Sequence, residues 1–254
     1  MVSEEYAYLL LGILFLLGWL FLYVRRRDER GELLALSVPL AVMGIAADSL
    51  YIKDWWNPIT IIGTPPVSGE ALIASLGIIG VGAVLPEYIL RLRDTSPGRI
   101  FSRRELLVLF ATLFTMALLF FGSFFLLHAN SLIATILALI IPTVFMWGSR
   151  RDLIKVAFLN GIFLVLFAVL VYSVLNYLIP SWIDSFYMFK NTPRFLLAGV
   201  PVDDVVFYFC AGLFFGTFYE WWQNVRRIPL PTNHQYITRW WQRGIPRPLK
   251  GRRV

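Results

Sequence analysis

The chain has 254 residues, 58% of them apolar and 16% aromatic, with a mean hydropathy of +0.68 and a formal net charge of +7. That balance excludes a water-soluble domain of this length. The single cysteine excludes an internal disulfide, and no C-x-x-C pair is present.

Seven apolar stretches are long enough to cross the roughly 30 Å hydrocarbon core of a bilayer. They fall over residues 6–24, 33–52, 69–90, 105–127, 131–148, 153–179 and 201–222. Asp48 and Glu87 shorten the uncharged part of the second and third. The first is read as a retained anchor, because its basic residues follow the apolar run instead of preceding it. The expected fold class is therefore all-α, a polytopic membrane protein with about seven transmembrane helices.

Charge alternates between the connecting segments. Arg25, Arg26, Arg27 and Arg30 follow the first span, and Arg91, Arg93, Arg99, Arg103 and Arg104 follow the third. Arg150, Arg151 and Lys155 follow the fifth, and eight more Lys and Arg residues follow the seventh. Positive charge is retained in the cytoplasm, so the expected orientation has the N-terminus outside and the C-terminus inside. An odd number of spans gives the same result.

One segment occurs twice. Pro58 to Ala71 reads PITIIGTPPVSGEA and Pro193 to Val206 reads PRFLLAGVPVDDVV, aligned here at an offset of 135 residues, with Pro66-Val67 on Pro201-Val202. Four spans separate the copies, so both enter the membrane in the same direction, as in a parallel repeat. The expected layout is two parallel-related three-helix units, 1–92 and 131–222, joined by a linker and fourth helix over 93–130. A basic tail over 223–254, with Trp240 and Trp241 among its arginines, is expected on anionic lipid at the cytoplasmic face. No recognition fold accompanies it, so nucleic acid is not an expected partner.

Aromatics gather in the two outer loops, with Trp55 and Trp56 in one and Trp182, Phe186 and Tyr187 in the other. They read either as an interfacial belt or as segments lining a cavity for an apolar molecule. Gly77, Gly80 and Gly82 lie inside an apolar span and read as close helix packing, not as a dinucleotide fingerprint. His128 and His234 have no second ligand at metal spacing, so neither a metal nor a cofactor is expected.

Asp203 and Asp204 stand at the start of the last span, where two readings apply. Acids in a first helical turn are an ordinary start signal, stabilised by the positive end of the helix dipole. Two adjacent carboxylates at the edge of a low-dielectric site also cannot both ionise cheaply, which leaves a neutral acid beside an anion. Such a pair would protonate an alkene and stabilise the resulting cation. Glu70 stands near the corresponding place in the first copy, behind Ser68 as N-cap. Asp48 lies near the apolar interior of the second span and needs a partner that the sequence does not name.

The stretch LLAGVPVDDVVFYFCAGLFFGTFYEWW, Leu196 to Trp222, resembles the second motif region of the integral-membrane lycopene cyclase domain family. The family motif is a Pro, an aliphatic residue and two acids, here Pro201-Val202-Asp203-Asp204. Glutamates are typical where this chain has aspartates, and the first copy reads Pro66-Val67-Ser68-Gly69 with only Glu70 nearby. The resemblance implies an intramolecular lyase or isomerase acting on a linear carotenoid. A carboxylic acid, Asp203 or Asp204 with Glu70 as partner, protonates a terminal alkene, the ring closes and a proton leaves, with no cofactor. Pro201, Tyr187, Phe207, Trp55 and Pro66 would contact the isoprenoid substrate. The alternatives are a hydratase of a related isoprenoid, a small transporter, or a non-enzymatic membrane partner. The oligomeric state is not readable from the sequence.

Overall fold

Eight helices form among the described residues of the computed structural model, namely 2–64, 67–94, 102–190, 193–225 and 227–229. Seven of them are long and apolar enough to cross a membrane. They are α1 (Ala7–Arg25), α2 (Arg30–Asp54), α3 (Gly69–Leu90), α4 (Arg103–Phe125), α5 (Ser131–Ser149), α6 (Leu153–Leu178) and α8 (Val202–Gln223). The eighth, α7 (Trp182–Phe186), is one short turn in the loop between α6 and α8. The protein is thus an all-α polytopic membrane protein. The spans match those read from hydropathy to within a few residues. The largest difference is α2, which begins three residues earlier and takes the buried Glu32 into its first turn.

Local chemistry fixes the helix ends. Ser68 caps α3 by accepting the Ala71 N–H at 3.0 Å, and Asn130 caps α5 through the Ile133 N–H at 2.8 Å. Ser102 and Glu105 form a reciprocal capping box at the start of α4. Arg91 and Asn224 close α3 and α8 in the left-handed conformation.

The helices pack in two sets of three. α3 runs along α1 and α2, α8 runs along α6 and α5, and α3 meets α8 and α6 at the centre. α4 lies outside, mainly on α5. Glycines permit the closest crossings. A Cβ on Gly77 would come within 2.6 Å of the Phe15 carbonyl carbon on α1, and one on Gly212 within 2.6 Å of the Asn160 carbonyl oxygen on α6.

The two sets share a register. α1 and α5 start 124 residues apart, at Ala7 and Ser131, and end 124 apart, at Arg25 and Ser149; α2 and α6 end at Asp54 and Leu178, again 124 apart. Arg26 follows α1 and binds Asp28 and the Leu92 carbonyl; Arg150 follows α5 and binds Asp152 and the Val225 carbonyl. α3 and α8 start at Gly69 and Val202 and end at Leu90 and Gln223, 133 residues apart.

The 133-residue displacement of hairpins and helix starts is two residues less than the 135 at which the Pro-Val dipeptides match. A short antiparallel hairpin precedes each helix, β1 (Gly63–Thr64) with β2 (Val67–Ser68), and β4 (Leu196–Leu197) with β5 (Val200–Pro201). In both, the first helical N–H returns to the same carbonyl, Gly69 to Ile62 and Val202 to Phe195. Backbone geometry, not the Pro-Val dipeptide, sets the correspondence. Pro201 stands where Ser68 caps, Asp203 stands on Glu70, and Asp204 stands on Ala71.

The loops that follow α2 and α6 join each other. Trp56 and Tyr187 form an antiparallel bridge, the Asn57 N–H donates to the Phe186 carbonyl at 2.8 Å, and the Met188 N–H donates to the Trp55 carbonyl at 3.0 Å. Trp182, Phe186 and Tyr187 are buried beneath this joint. At the opposite end β3 (Leu92–Asp94) pairs antiparallel with β6 (Arg227–Pro229). The remainder of the basic tail, and with it the anionic-lipid reading, lies outside the described residues.

Candidate functional site

A cavity of about 340 Å³ lies beneath the joined loops that follow α2 and α6. Its walls come from α1, α2, α3, α4, α5, α6 and α8 and are mostly apolar. Two carboxylates, Asp48 and Asp204, line it. Both are almost fully buried, at 4% and 5% exposure. Charged groups at membrane depth are costly and mark functional positions by default.

Asp204 lies in the first turn of α8, placed by the hairpin that turns through Ala198 and Gly199 at positive φ. The hydroxyls of Tyr172 on α6 and Tyr187 after α7 both donate to its Oδ2. The two hydroxyls are themselves 2.8 Å apart. Burial first, and then the Asp204 carboxylate, push the Tyr187 phenol well above its ordinary range. Tyr187 therefore remains a hydrogen-bond donor throughout the neutral range. The Trp55 indole N–H approaches Asp204 without forming a hydrogen bond, and it is a buried donor with no acceptor.

Asp48 faces the cavity from α2, where the Tyr8 hydroxyl of α1 and the Trp56 indole are within its reach. These are the partners that the sequence does not reveal. Tyr8 and Trp56 are distant in sequence, and their rings meet edge to face at 4.7 Å. Tyr51, one helical turn from Asp48, also lines the cavity, and its hydroxyl is 3.0 Å from that of Thr135.

The other residues singled out from the sequence separate into two groups. Trp55, Tyr187 and Phe207 line the cavity with Asp204, and the Trp55 and Phe207 rings meet edge to face at 5.5 Å. Glu70, Asp203 and Pro201 are buried but do not line it. Glu70 Oε1 accepts the N–H groups of Ile61 at 2.6 Å and Ile62 at 2.8 Å, which ties the first hairpin to α3. Asp203 takes the corresponding helical position in α8. Pro66 lies outside the described residues. The structure adds Tyr8, Tyr172 and Tyr208, which carry no motif, and it brings Asp48, marked in the sequence by its depth in an apolar span, to the cavity.

At the other end of the bundle Glu29, Glu32 and Glu87 bring carboxylate oxygens within 4.8 Å of one another, beside Arg26, which binds Glu29 at 2.7 Å. That group is remote from the cavity and none of its members lines it.

The arrangement places a hydrogen-bonded carboxyl group against an apolar space walled by aromatic rings. Its chemistry is proton delivery to an apolar molecule, with π faces available to a cation. Val42 of α2 and Phe121 of α4 both line the cavity and are exposed on the surface of the bundle.

Residues 130–222 match the family model described as lycopene cyclase. The match runs from the cap of α5 to the penultimate residue of α8. It contains Tyr172, Tyr187, Asp203, Asp204 and Phe207, and extends the family resemblance upstream of Leu196. No curated protein and no solved structure matches the chain.

Proposed function

We propose that this membrane protein, whose residues 130–222 carry a lycopene cyclase family domain, closes a ring on the linear end group of a carotenoid-type isoprenoid by proton-initiated, non-redox chemistry. The observation that carries this reading is Asp204, a buried carboxyl group lining an apolar cavity and held by two tyrosine hydroxyls.

Asp204 acts as the acid. Both phenolic protons are directed at Oδ2, so the carboxyl proton is carried on Oδ1 and is available for delivery. That proton goes to the terminal alkene, the tertiary cation is attacked by an internal alkene, and a six-membered ring closes. Loss of one proton from a ring carbon restores neutrality, so the product has the mass of the substrate. Trp55, Phe207 and Tyr208 would face the cation, and the dry walls keep water from capturing it. A cavity of about 340 Å³ suits one end group, with the rest of a long polyene lying in the bilayer through a mouth between α2 and α4.

The test is expression in a host that accumulates lycopene, followed by chromatography and mass analysis of the pigments. The expected result is a mass-neutral product with a shortened chromophore. A product heavier by one water would replace ring closure with hydration at the same acid. Unchanged lycopene, with the protein verified in the membrane, would overturn lycopene as the substrate.

A further inference from the structure

We propose that Asp48 is the second acid–base group of this cavity, the carboxylate that accepts the proton lost from the ring carbon after Asp204 has delivered one to the alkene. The inference rests on the ring-closure reading and adds a residue that lies outside both the repeated segment and the matched region.

Three observations lead to it. The first is placement. Asp48 and Asp204 line one cavity from helices of different sets, α2 and α8. The second is register. A displacement of 124 residues sets Asp48 on Tyr172, and one of 133 sets Ala71 on Asp204. Each set thus offers one carboxylate to the cavity at a helix pair that is equivalent in the fold, carried by the second helix in one set and by the third in the other. The third is occupancy of the obvious rival. Glu70 is the positional counterpart of Asp203, does not line the cavity, and spends Oε1 on the Ile61 and Ile62 amides.

The chemistry needs such a group. The carbon that receives the proton and the carbon that loses one lie on different parts of the new ring. One carboxylate would have to serve both, whereas two on opposing helices serve each in turn. The step balances with no change in redox state. Asp204 passes from acid to carboxylate, Asp48 from carboxylate to acid, and the substrate gains and loses one proton. Exchange of one proton with water at each carboxylate resets the pair. Tyr8 and Trp56 lie within reach of Asp48 and are the polar groups placed to receive it when it is ionised.

The experiment follows deuterium from D₂O in the full-length protein supplied with lycopene. Unaltered protein should give ring product carrying deuterium. Asp204→Asn should give neither ring nor label. Asp48→Asn should still label the recovered linear substrate, through reversible protonation, while ring product falls by about 10²-fold or more, and Asp48→Glu should restore part of it. Full-rate cyclisation by Asp48→Asn, or loss of label as complete as in Asp204→Asn, would overturn the assignment.

A second measurement does not depend on turnover or on a folded variant. Dicyclohexylcarbodiimide, an apolar carboxyl reagent, should modify Asp48 and Asp204 in the unaltered protein, and lycopene should protect both over the same concentration range. Asp48 left unmodified, or not protected together with Asp204, would overturn the shared site. Failure of the ring-closure reading alone would show differently, as unlabelled and uncyclised lycopene with the unaltered protein.

Discussion

Two adjacent carboxylates open α8, and one step of helical rotation, about 100°, gives them different surroundings. Asp204 reaches the cavity and two tyrosines, whereas Asp203 occupies the place that Glu70 fills in α3. The expected consequence is that Tyr172→Phe and Tyr187→Phe each lower turnover about tenfold, the worth of one hydrogen bond to a charged group. Glu70→Ala should act on stability instead. It removes the acceptor of two backbone N–H groups, costs about 1–3 kcal/mol and leaves the product unchanged, which thermal unfolding in detergent together with pigment analysis would show. Asp204, Tyr187, Trp55 and Phe207 were legible in the sequence because acids and aromatics at a span boundary are chemically conspicuous. Tyr8 and Tyr172 were not, since a tyrosine inside an apolar helix reads as packing until the fold brings a carboxylate to its hydroxyl.

Helices α3 and α8 form the centre of the bundle, and their small residues decide how closely α1 and α6 approach. Gly77→Leu and Gly212→Leu would force side chains into the backbone of the neighbouring helix. Both should abolish accumulation of folded protein, seen as loss of a monodisperse peak in detergent. The proposed mouth between α2 and α4 makes a milder prediction. Val42→Trp should lower turnover several-fold with the amount of membrane protein unchanged, because Val42 stands exposed at the rim. Equal turnover would place substrate access elsewhere. The spans themselves were legible almost to the residue, since hydrocarbon thickness imposes a length that composition must meet. The register of the repeat was not. Matching Pro66-Val67 to Pro201-Val202 follows residue identity, whereas hairpin closure and helix starts follow hydrogen bonds, which differ by two residues from that match.

We propose a division into two three-helix units with α4 as the connector, on the shared displacements of α1 with α5, α2 with α6 and α3 with α8. Arg26 and Arg150 anchor matching corners of the two units through Asp28 and Asp152. Asp28 shows what this anchoring does. Burial alone would raise its carboxyl, and the Arg26 hydrogen bond and charge outweigh that and hold it below the ordinary range. From the charge asymmetry of the connecting segments we propose that these corners face the cytoplasm, which would set the cavity toward the outer half of the bilayer. Cys210 is the only cysteine, so a Cys210→Ala background isolates introduced thiols. Ser3→Cys should react with an impermeant maleimide on intact cells, and Asn224→Cys only after permeabilisation. The reverse pattern would invert the orientation.

The central claim is that one particular carboxylate of the Asp203–Asp204 pair starts a ring closure. Its most direct test is turnover of lycopene by the purified protein in lipid vesicles, comparing the unaltered chain with Asp203→Asn and Asp204→Asn at matched amounts of folded protein. The account predicts cyclised, mass-neutral product from the unaltered chain and from Asp203→Asn, and a loss of about 10²-fold or more in Asp204→Asn. Product formation by Asp204→Asn at the rate of the unaltered chain would contradict it.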